Sequence, residues 1–238
     1  MMNDNSISHL FDRSETLLGR EAMARLRSAR VIVFGVGGVG SWCAEALVRS
    51  GIGHITIVDS DCVEPTNVNR QLPALATTVG LPKVEVMRDH LLAVNPQADI
   101  LALQQRFSLD TADAFRLSDY DFVVDAIDSL RDKLDLILLA ARRGGPVLFS
   151  SMGAARRLDP LQVRVSEFWR IDGCPLAAKL RKSMRREQRY PERKFKCVWS
   201  AETPLAAQGV KGSMMPVTAT FGLVLASLVI NSLAAPSA

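Results

Sequence analysis

Cysteine and histidine are scarce in this 238-residue chain. The three histidines share no metal-ligand spacing, and the cysteines are widely separated without a C-x-x-C pair: Cys43, Cys62, Cys174 and Cys197. A structural zinc site is therefore not expected, because such sites need paired thiolate or imidazole ligands. The first residues contain neither a basic segment nor an apolar core, so no secretory signal is predicted. We expect a cytoplasmic protein with reduced thiols.

Long apolar runs are also few. Hydrophobic residues make up 48% of the chain and charged residues 23%, which excludes a disordered or collagen-like protein. The most apolar stretch, residues 214–230, is shorter than the roughly 20 apolar residues that span a membrane. It favours a buried or interface helix, with peripheral membrane contact as the less favoured alternative.

Positive charge is concentrated in one segment. Residues 181–196 (RKSMRREQRYPERKFK) carry eight basic and two acidic side chains, a net charge of +6 in a chain of net +4. The segment suggests a polyanionic partner, and a solvated helix face is the alternative. The aromatic residues Tyr190, Phe195 and Trp199 could stack a nucleic-acid base, although a place in the core is favoured for them.

Short β-branched runs alternate with longer helical patterns along most of the chain. The patterns predict helices at 41–50, 83–94 and 132–142 and strands at 31–36, 54–59, 99–104, 121–128, 146–151 and 162–168. Strands that are apolar on both faces and separated by helices predict an α/β fold, a doubly wound, mostly parallel, Rossmann-like sheet.

Three regions are expected from this pattern. Residues 1–30 form an N-terminal helical segment, and residues 31–170 form the nucleotide-binding domain. Residues 171–238 supply a basic insertion and a C-terminal apolar helix that pack on the same domain.

A glycine-rich loop, GVGGVG, follows the first strand and precedes a helix, which is the context of a nucleotide-binding loop. Gly35 permits a tight turn, Gly37 and its neighbour Gly38 let the backbone approach phosphate, and Gly40 allows close packing of helix on strand. Asp59, at the end of the second strand, is placed to accept both ribose hydroxyls. These features serve NAD and ATP equally.

The next residues favour ATP over NAD. Lys83 is expected at a helix N-terminus, where a cation is unfavourable unless a phosphate lies beside it. Attack on an α-phosphate needs cations that neutralise the departing pyrophosphate, whereas hydride transfer does not. The other candidate ligands concentrate just beyond the second strand: Asp61, Asn67, Asn69 and Arg70.

Two acids at the end of the fourth predicted strand are candidates for magnesium. Ligands of doubly wound sheets bind beyond the carboxyl ends of the strands, so Asp128 is expected to face the triphosphate and Mg²⁺. Asp125 lies within the strand, and hydrogen bonding to loop backbone is its favoured alternative.

Several motifs together resemble the ubiquitin-activating-enzyme-like adenylating superfamily, and the closest fit is to the bacterial tRNA threonylcarbamoyladenosine dehydratases. They are GVGGVGSW, DSDCVEPTNVNRQ, GLPKVEVM and DAIDSLRDK, followed by DPLQVRVSE, PLAAKLRK, KCVWSAE and PVTATFG. The resemblance extends over nearly the whole chain from about Phe11.

The resemblance implies roles for individual residues. The glycine loop and Asp59 would hold the adenosine, Asn69 would lie near the phosphates, Arg70 and Lys83 would neutralise them, and Asp128 would work with Mg²⁺. An N-terminal arginine, here Arg13 in FDRSETLLG, would reach into the partner subunit's site, which implies a homodimer.

The implied reaction is the ATP-dependent closure of a ring on threonylcarbamoyladenosine next to the anticodon of tRNA. A Na⁺ or K⁺ site near loop carbonyls is also implied. The alternative is adenylation of a ubiquitin-like sulfur carrier, with sulfur-transfer proteins as accessory partners, although the absent zinc pairs weigh against it. The segment between Glu202 and Pro216 is shorter than the cysteine-containing loop common in the family, so the resemblance implies no role here for that cysteine.

Overall fold

The structure is a computed structural model that describes residues 9–206 and 212–235. The remaining parts of the predicted N-terminal and C-terminal regions, residues 1–8, 207–211 and 236–238, lie outside the described residues. The described residues form one seven-stranded sheet with the order β3-β2-β1-β4-β5-β7-β6. The strands are β1 Arg30–Phe34, β2 His54–Val58, β3 Asp99–Leu103, β4 Phe122–Asp125, β5 Val147–Ser151, β6 Val163–Glu167 and β7 Lys196–Ser200.

Six of these strands run parallel, and β6 is an antiparallel edge strand paired with β7. The strand order reverses between β1 and β4, so a crevice opens beyond their carboxyl ends. The predicted doubly wound, mostly parallel α/β fold is confirmed.

Helices cover both faces of the sheet. The N-terminal segment forms two of them, which meet at Gly19, where φ is +82°. The helix bounds are α1 Asp12–Leu18, α2 Arg20–Ser28, α3 Gly40–Arg49, α4 Lys83–Val94, α5 Leu130–Ala140, α6 Pro175–Glu187 and α7 Met215–Ala234.

Helix α7 is the apolar helix predicted at residues 214–230. It is long and apolar enough to cross a membrane, but one side of it is buried by Val217, Phe221, Leu225 and Val229, which recur every four residues. An ideal Cβ on Gly222 would lie 2.9 Å from the backbone nitrogen of Cys43 on α3, so glycine lets the two helices approach closely. The interpretation as a buried helix is confirmed for this side.

Two strand predictions need correction. Strand β7 was not predicted: it lies within the region assigned to the basic insertion, yet it pairs in the sheet between β5 and β6. Strand β4 ends at Asp125 and not at residue 128, because Asp125 Oδ1 accepts a hydrogen bond from the Ile127 amide and turns the chain.

Candidate active site

The glycine loop connects β1 to α3 and packs tightly against the loop that follows β4. Gly35 has φ of +88°, and an ideal Cβ on it would lie 2.8 Å from the carbonyl oxygen of Ala126. A Cβ on Gly40 would lie 1.8 Å from the carbonyl oxygen of Gly35. Gly37 is different, since the nearest atom to its Cβ would be Gln71 Nε2 at 3.8 Å. The loop therefore has no room for a side chain at Gly40, where it packs against its own backbone, whereas there is open space beside Gly37.

A cleft of about 730 Å³ lies beyond the carboxyl ends of the strands, where the strand order reverses. It brings together most of the candidate residues: Gly35, Gly37, Gly38, Asp59, Asp61, Asn67, Arg70, Lys83 and Asp128. Gly40, Asn69 and Arg13 are not part of its lining. Its size and position suit a nucleotide with room for a second reactant.

Asp59 connects the glycine loop to the turn after β2. Its Oδ2 accepts from the Val36 amide at 2.7 Å, and its Oδ1 accepts from the Asp61 amide at 2.9 Å. Burial raises the pKa of this carboxyl, and these hydrogen bonds and the charge of Lys83 oppose the rise. The carboxylate is thus held rigidly at the position expected for a ribose.

Lys83 is the first residue of α4 and is held in the cleft by Asp61. Its Nζ lies 2.9 Å from Asp61 Oδ2. An antiparallel backbone β-bridge between Cys62 and Pro82 holds the loop after β2 against the start of α4. The lysine side chain is only 7% exposed, whereas that of Asp61 is 64% exposed. Lys83 is thus a buried cation in the wall of the cleft, paired with a carboxylate that is open to solvent.

Arg70 crosses over the glycine loop, where its Cγ would lie 3.1 Å from a Cβ on Gly38. Its Nη1 donates to the Thr66 carbonyl and to Asn69 Oδ1, both at 2.9 Å. Asn69 is not part of the cleft lining, but its side chain links Arg70 to the cleft wall, since its amide donates to the carbonyl of the lining residue Ser213 at 2.8 Å.

Asn67 is buried and serves the local turn. Its Oδ1 accepts from the Glu64 amide at 3.2 Å, and Glu64 caps the same short 3₁₀ turn in return. Its side chain therefore shapes the loop that carries Arg70, besides lining the cleft.

The two candidate magnesium ligands have different surroundings. Asp128 is exposed in the cleft and makes no hydrogen bond or ion pair with the described residues. Asp125 is fully buried beneath the cleft, 2.8 Å from Lys133 Nζ. Asp125 does not face the cleft, and it accepts a hydrogen bond from the loop backbone at Ile127, as its favoured alternative role predicts.

A magnesium ion that entered this cleft with a nucleotide would have to be held largely by phosphate. No cluster of three or more potential protein ligands occurs in residues 9–206 and 212–235. Mg²⁺ with nucleotides commonly takes one or two carboxylates and completes its shell with phosphate oxygens and water, and Asp128 can supply one.

Arg13 lies on α1, apart from the cleft of its own chain. The cleft of one chain therefore does not contain this arginine, and its expected place in a partner subunit's site stays a prediction.

Four basic residues of the cleft lining were not predicted from the sequence: Arg106, Arg156, Arg157 and Lys179. Arg157 is 3% exposed and donates to the carbonyls of Gly153, Ala155, Ser200 and Glu202. Burial lowers its pKa. Arg156 has φ of +63°, and its backbone bonds to Leu205 and Gly212. The signal available was the Arg-Arg pair shortly after the fifth strand.

The basic segment is only partly a free surface. Arg181 donates to carbonyls at Phe168 and Ile171, Arg189 pairs with Asp135 at 3.0 Å, and Arg193 donates to three carbonyls. The exposed cations are Lys182, Arg185, Arg186, Lys194 and Lys196.

The aromatic residues near this segment are mostly core. Phe195 and Trp199 are 5% and 7% exposed, so the favoured interpretation as core residues holds for both, and neither is placed to stack a base. Tyr190 is 47% exposed and remains available.

The four thiols differ in their access to solvent. Cys43 and Cys197 are fully buried, and burial raises the pKa of each thiol. Cys174 is also buried, although it lines the cleft, and Cys62 is exposed.

The fold and cleft define a nucleotide-binding α/β protein with cations and carboxylates at the open end of its sheet. The ThiF family model matches residues 11–237. A tRNA threonylcarbamoyladenosine dehydratase of Bacillus subtilis is 39% identical over 83% of this chain and 76% of its own length, and the one of Escherichia coli is 35% identical over 96% and 94%. The crystal structure of the E. coli enzyme in complex with ATP has a TM-score of 0.89 at 35% identity and covers 98% of this chain and 96% of that one. The chain therefore belongs to the ThiF family and, within it, to the tRNA threonylcarbamoyladenosine dehydratases.

Proposed function

We propose that this protein uses ATP to dehydrate threonylcarbamoyladenosine next to the anticodon of tRNA, closing a ring. One observation carries the proposal: a single cleft gathers the glycine loop, Asp59, Arg70, Lys83 and Asp128. The relatives named as this dehydratase, one of them solved with ATP, support the same assignment.

The residues divide the work of holding ATP. The open backbone at Gly37 and the N-terminus of α3 receive phosphate, and Asp59 receives the ribose. Arg70 and Lys83 neutralise the charge that builds up as pyrophosphate departs. Mg²⁺, with Asp128 as its protein ligand, supplies further charge neutralisation when bound.

The chemistry proceeds by activation and ring closure. A carboxylate oxygen of the threonyl group attacks the α-phosphorus, the bond to the β-phosphate breaks, and pyrophosphate leaves with its electron pair. A carbamoyl nitrogen or oxygen then attacks the acyl carbon, AMP leaves, and a proton is lost. The net change in the nucleoside is the loss of one water, and proximity within one side chain supplies much of the rate.

A row of cations leads outward from the cleft along α6. Lys179 lines the cleft, and Lys182 and Arg186 follow at helical spacings of three and seven residues, on the same side of the helix. We assign this row to the phosphate backbone of tRNA. Replacing Lys182 and Arg186 by alanine is expected to weaken tRNA binding and to reduce the salt slope by about 2, since each lost phosphate contact removes about one unit.

The matched control removes two exposed cations, Lys194 and Lys196, at the amino end of β7 on the opposite edge of the sheet. This K194A/K196A variant has the same net charge as the K182A/R186A variant, but it should bind tRNA as the wild type does. Equal salt slopes in all three proteins would remove α6 from the tRNA surface.

The assembly is proposed to be a cytoplasmic homodimer in which Arg13 acts in the partner's cleft. A Na⁺ or K⁺ site near loop carbonyls stays a prediction, as do accessory sulfur-transfer proteins. The exposed side of α7, which includes Leu223, leaves peripheral membrane contact as a less favoured prediction.

The deciding experiment measures pyrophosphate release from ATP in three arms: tRNA with threonylcarbamoyladenosine, tRNA without it, and a glycine-terminated sulfur-carrier protein. Release in the first arm alone, with a cyclised nucleoside by mass spectrometry, is the expected result. Release with the carrier protein alone would establish the alternative function. A D128A variant that still releases pyrophosphate at the wild-type rate would contradict the role of that carboxylate.

A further inference from the structure

A fully enclosed ion pair lies beneath the cleft and takes no part in the chemistry described above. Lys133 on α5 and Asp125 at the end of β4 are both inaccessible to solvent, and Ser150 on β5 donates to Asp125 Oδ2 at 2.6 Å. Buried ion pairs contribute little net stability, since apolar replacements are often neutral or stabilising. The pair therefore needs an explanation other than stability.

The two charged groups hold one peptide segment from both sides. Asp125 Oδ1 accepts from the Ile127 amide at 3.1 Å, and Lys133 Nζ donates to the Ile127 carbonyl at 2.9 Å. Ile127 directly precedes Asp128. The residue that precedes Asp128 is consequently held from both sides by the ion pair.

The same loop is fixed against the glycine loop. The Ala126 amide donates to the Phe34 carbonyl at 2.8 Å, and the Ala126 carbonyl packs against Gly35. The ion pair thus joins the position of the Asp128 carboxylate to that of the phosphate-binding backbone.

We propose that Lys133 and Asp125 are positioning residues that hold Asp128 toward the triphosphate of bound ATP. The proposal rests on the role of Asp128 in the proposed function. Groups that orient a metal-binding or catalytic residue change affinity or rate when they are replaced, even though they do not touch the ligand.

The test variant replaces both charges at once, as D125N/K133M. It leaves no unpaired buried charge. The amide oxygen of the new asparagine still accepts from the Ile127 amide, but the Ile127 carbonyl loses its donor. The melting temperature is expected to fall only modestly, because one half-buried carbonyl loses its donor while no buried charge is left unpaired. Binding of Mg-ATP or the rate of pyrophosphate release is expected to fall by about 10- to 100-fold.

A double-mutant cycle with D128N separates positioning from a structural effect. D128N should weaken Mg-ATP binding in the wild type and have less than about a third of that effect in D125N/K133M. The amide of Ile127 should also exchange hydrogen faster in D125N/K133M. An equal effect of D128N in both backgrounds would overturn the proposal.

Two further variants keep the outcome clear. D135N removes another buried carboxylate from α5, which pairs with Arg131 and Arg189, so it should lower the melting temperature and leave the Asp128 cycle unchanged. If D125N/K133M fails to fold, S150A repeats the cycle with only one hydroxyl removed. Mg-ATP binding and hydrogen exchange need no tRNA, so they report on the positioning even if tRNA is not the substrate.

Discussion

Gly37 and Gly40 belong to the same glycine loop, and alanine at each position offers a sharp test of the site. An alanine Cβ at position 40 would lie 1.8 Å from the Gly35 carbonyl oxygen, far inside the 3.4 Å at which ordinary contact begins. At position 37 the nearest atom would be 3.8 Å away, at the end of the flexible Gln71 side chain. The same methyl group is thus added once against backbone and once toward the open cleft.

The expected magnitudes follow from these distances. G40A forces backbone to move, and overpacking of this kind costs about 3 kcal/mol or more, which lowers the melting temperature of a domain of this size by roughly 6–12 °C. G37A should change stability by less than about 0.5 kcal/mol. It should instead remove one hydrogen bond to a charged phosphate, about 1.5–3 kcal/mol, and weaken ATP binding roughly 10- to 100-fold.

Thermal unfolding and ATP titration calorimetry on both variants check the prediction. The two variants are expected to behave differently: G37A should be stable but weak in ATP binding, and G40A should be destabilised. ATP binding by G37A at the wild-type affinity would show that phosphate does not approach this backbone. A wild-type melting temperature for G40A would refute the close contact with Gly35.

Two other predictions concern charge and assembly. Because burial raises the pKa of Asp59, acidification protonates its carboxylate at a higher pH than it would an ordinary aspartate. As the pH is lowered, ATP affinity should therefore begin to fall at that higher pH. D59N, whose side chain does not titrate, should show no such step in a pH series. The stability of the fold depends on pH in the opposite direction to ATP affinity. The raised pKa stabilises the folded state at acidic pH, and this contribution disappears as pH rises through the folded-state pKa. If Arg13 acts in the partner subunit, inactive R13A and K83A dimers should recover about a quarter of wild-type activity on subunit exchange, since half of the dimers become mixed and each mixed dimer has one complete site. No recovery in mixtures shown by mass to contain heterodimers would contradict the exchange of Arg13 between subunits.

Local sequence patterns were enough to predict most of the fold and most of the candidate residues that line the cleft. The turn at Gly35, the acid at the end of β2 and the lysine that begins α4 each depend on residues close together in sequence. Parallel strands then place their carboxyl ends at one edge, so residues from different strands could be expected in one cleft before any contact was known.

The features that could not be predicted depend on contacts between residues that are distant in sequence. The eight basic residues of 181–196 look equivalent in sequence, but Arg181, Arg189 and Arg193 are engaged by carbonyls or by a carboxylate on distant segments. Strand β7 was hidden for a related reason: it begins at the last residue of this charged segment and pairs with strands that end tens of residues earlier.

The buried and exposed acids after β4 show why position in a motif does not fix a role. Asp125 and Asp128 are three residues apart, and the sequence pattern places both at the carboxyl end of one predicted strand, whereas β4 ends at Asp125 and Asp128 lies in the loop that follows. A turn stabilised by Asp125 itself directs the first side chain to Lys133 below the sheet edge and leaves the second in the cleft. Because Lys133 is supplied by the next helix, the division of labour between the two acids depends on how α5 packs. The sequence could therefore propose both as ligands, but only the packing of α5 shows which carboxylate is exposed in the cleft and which is buried beneath it.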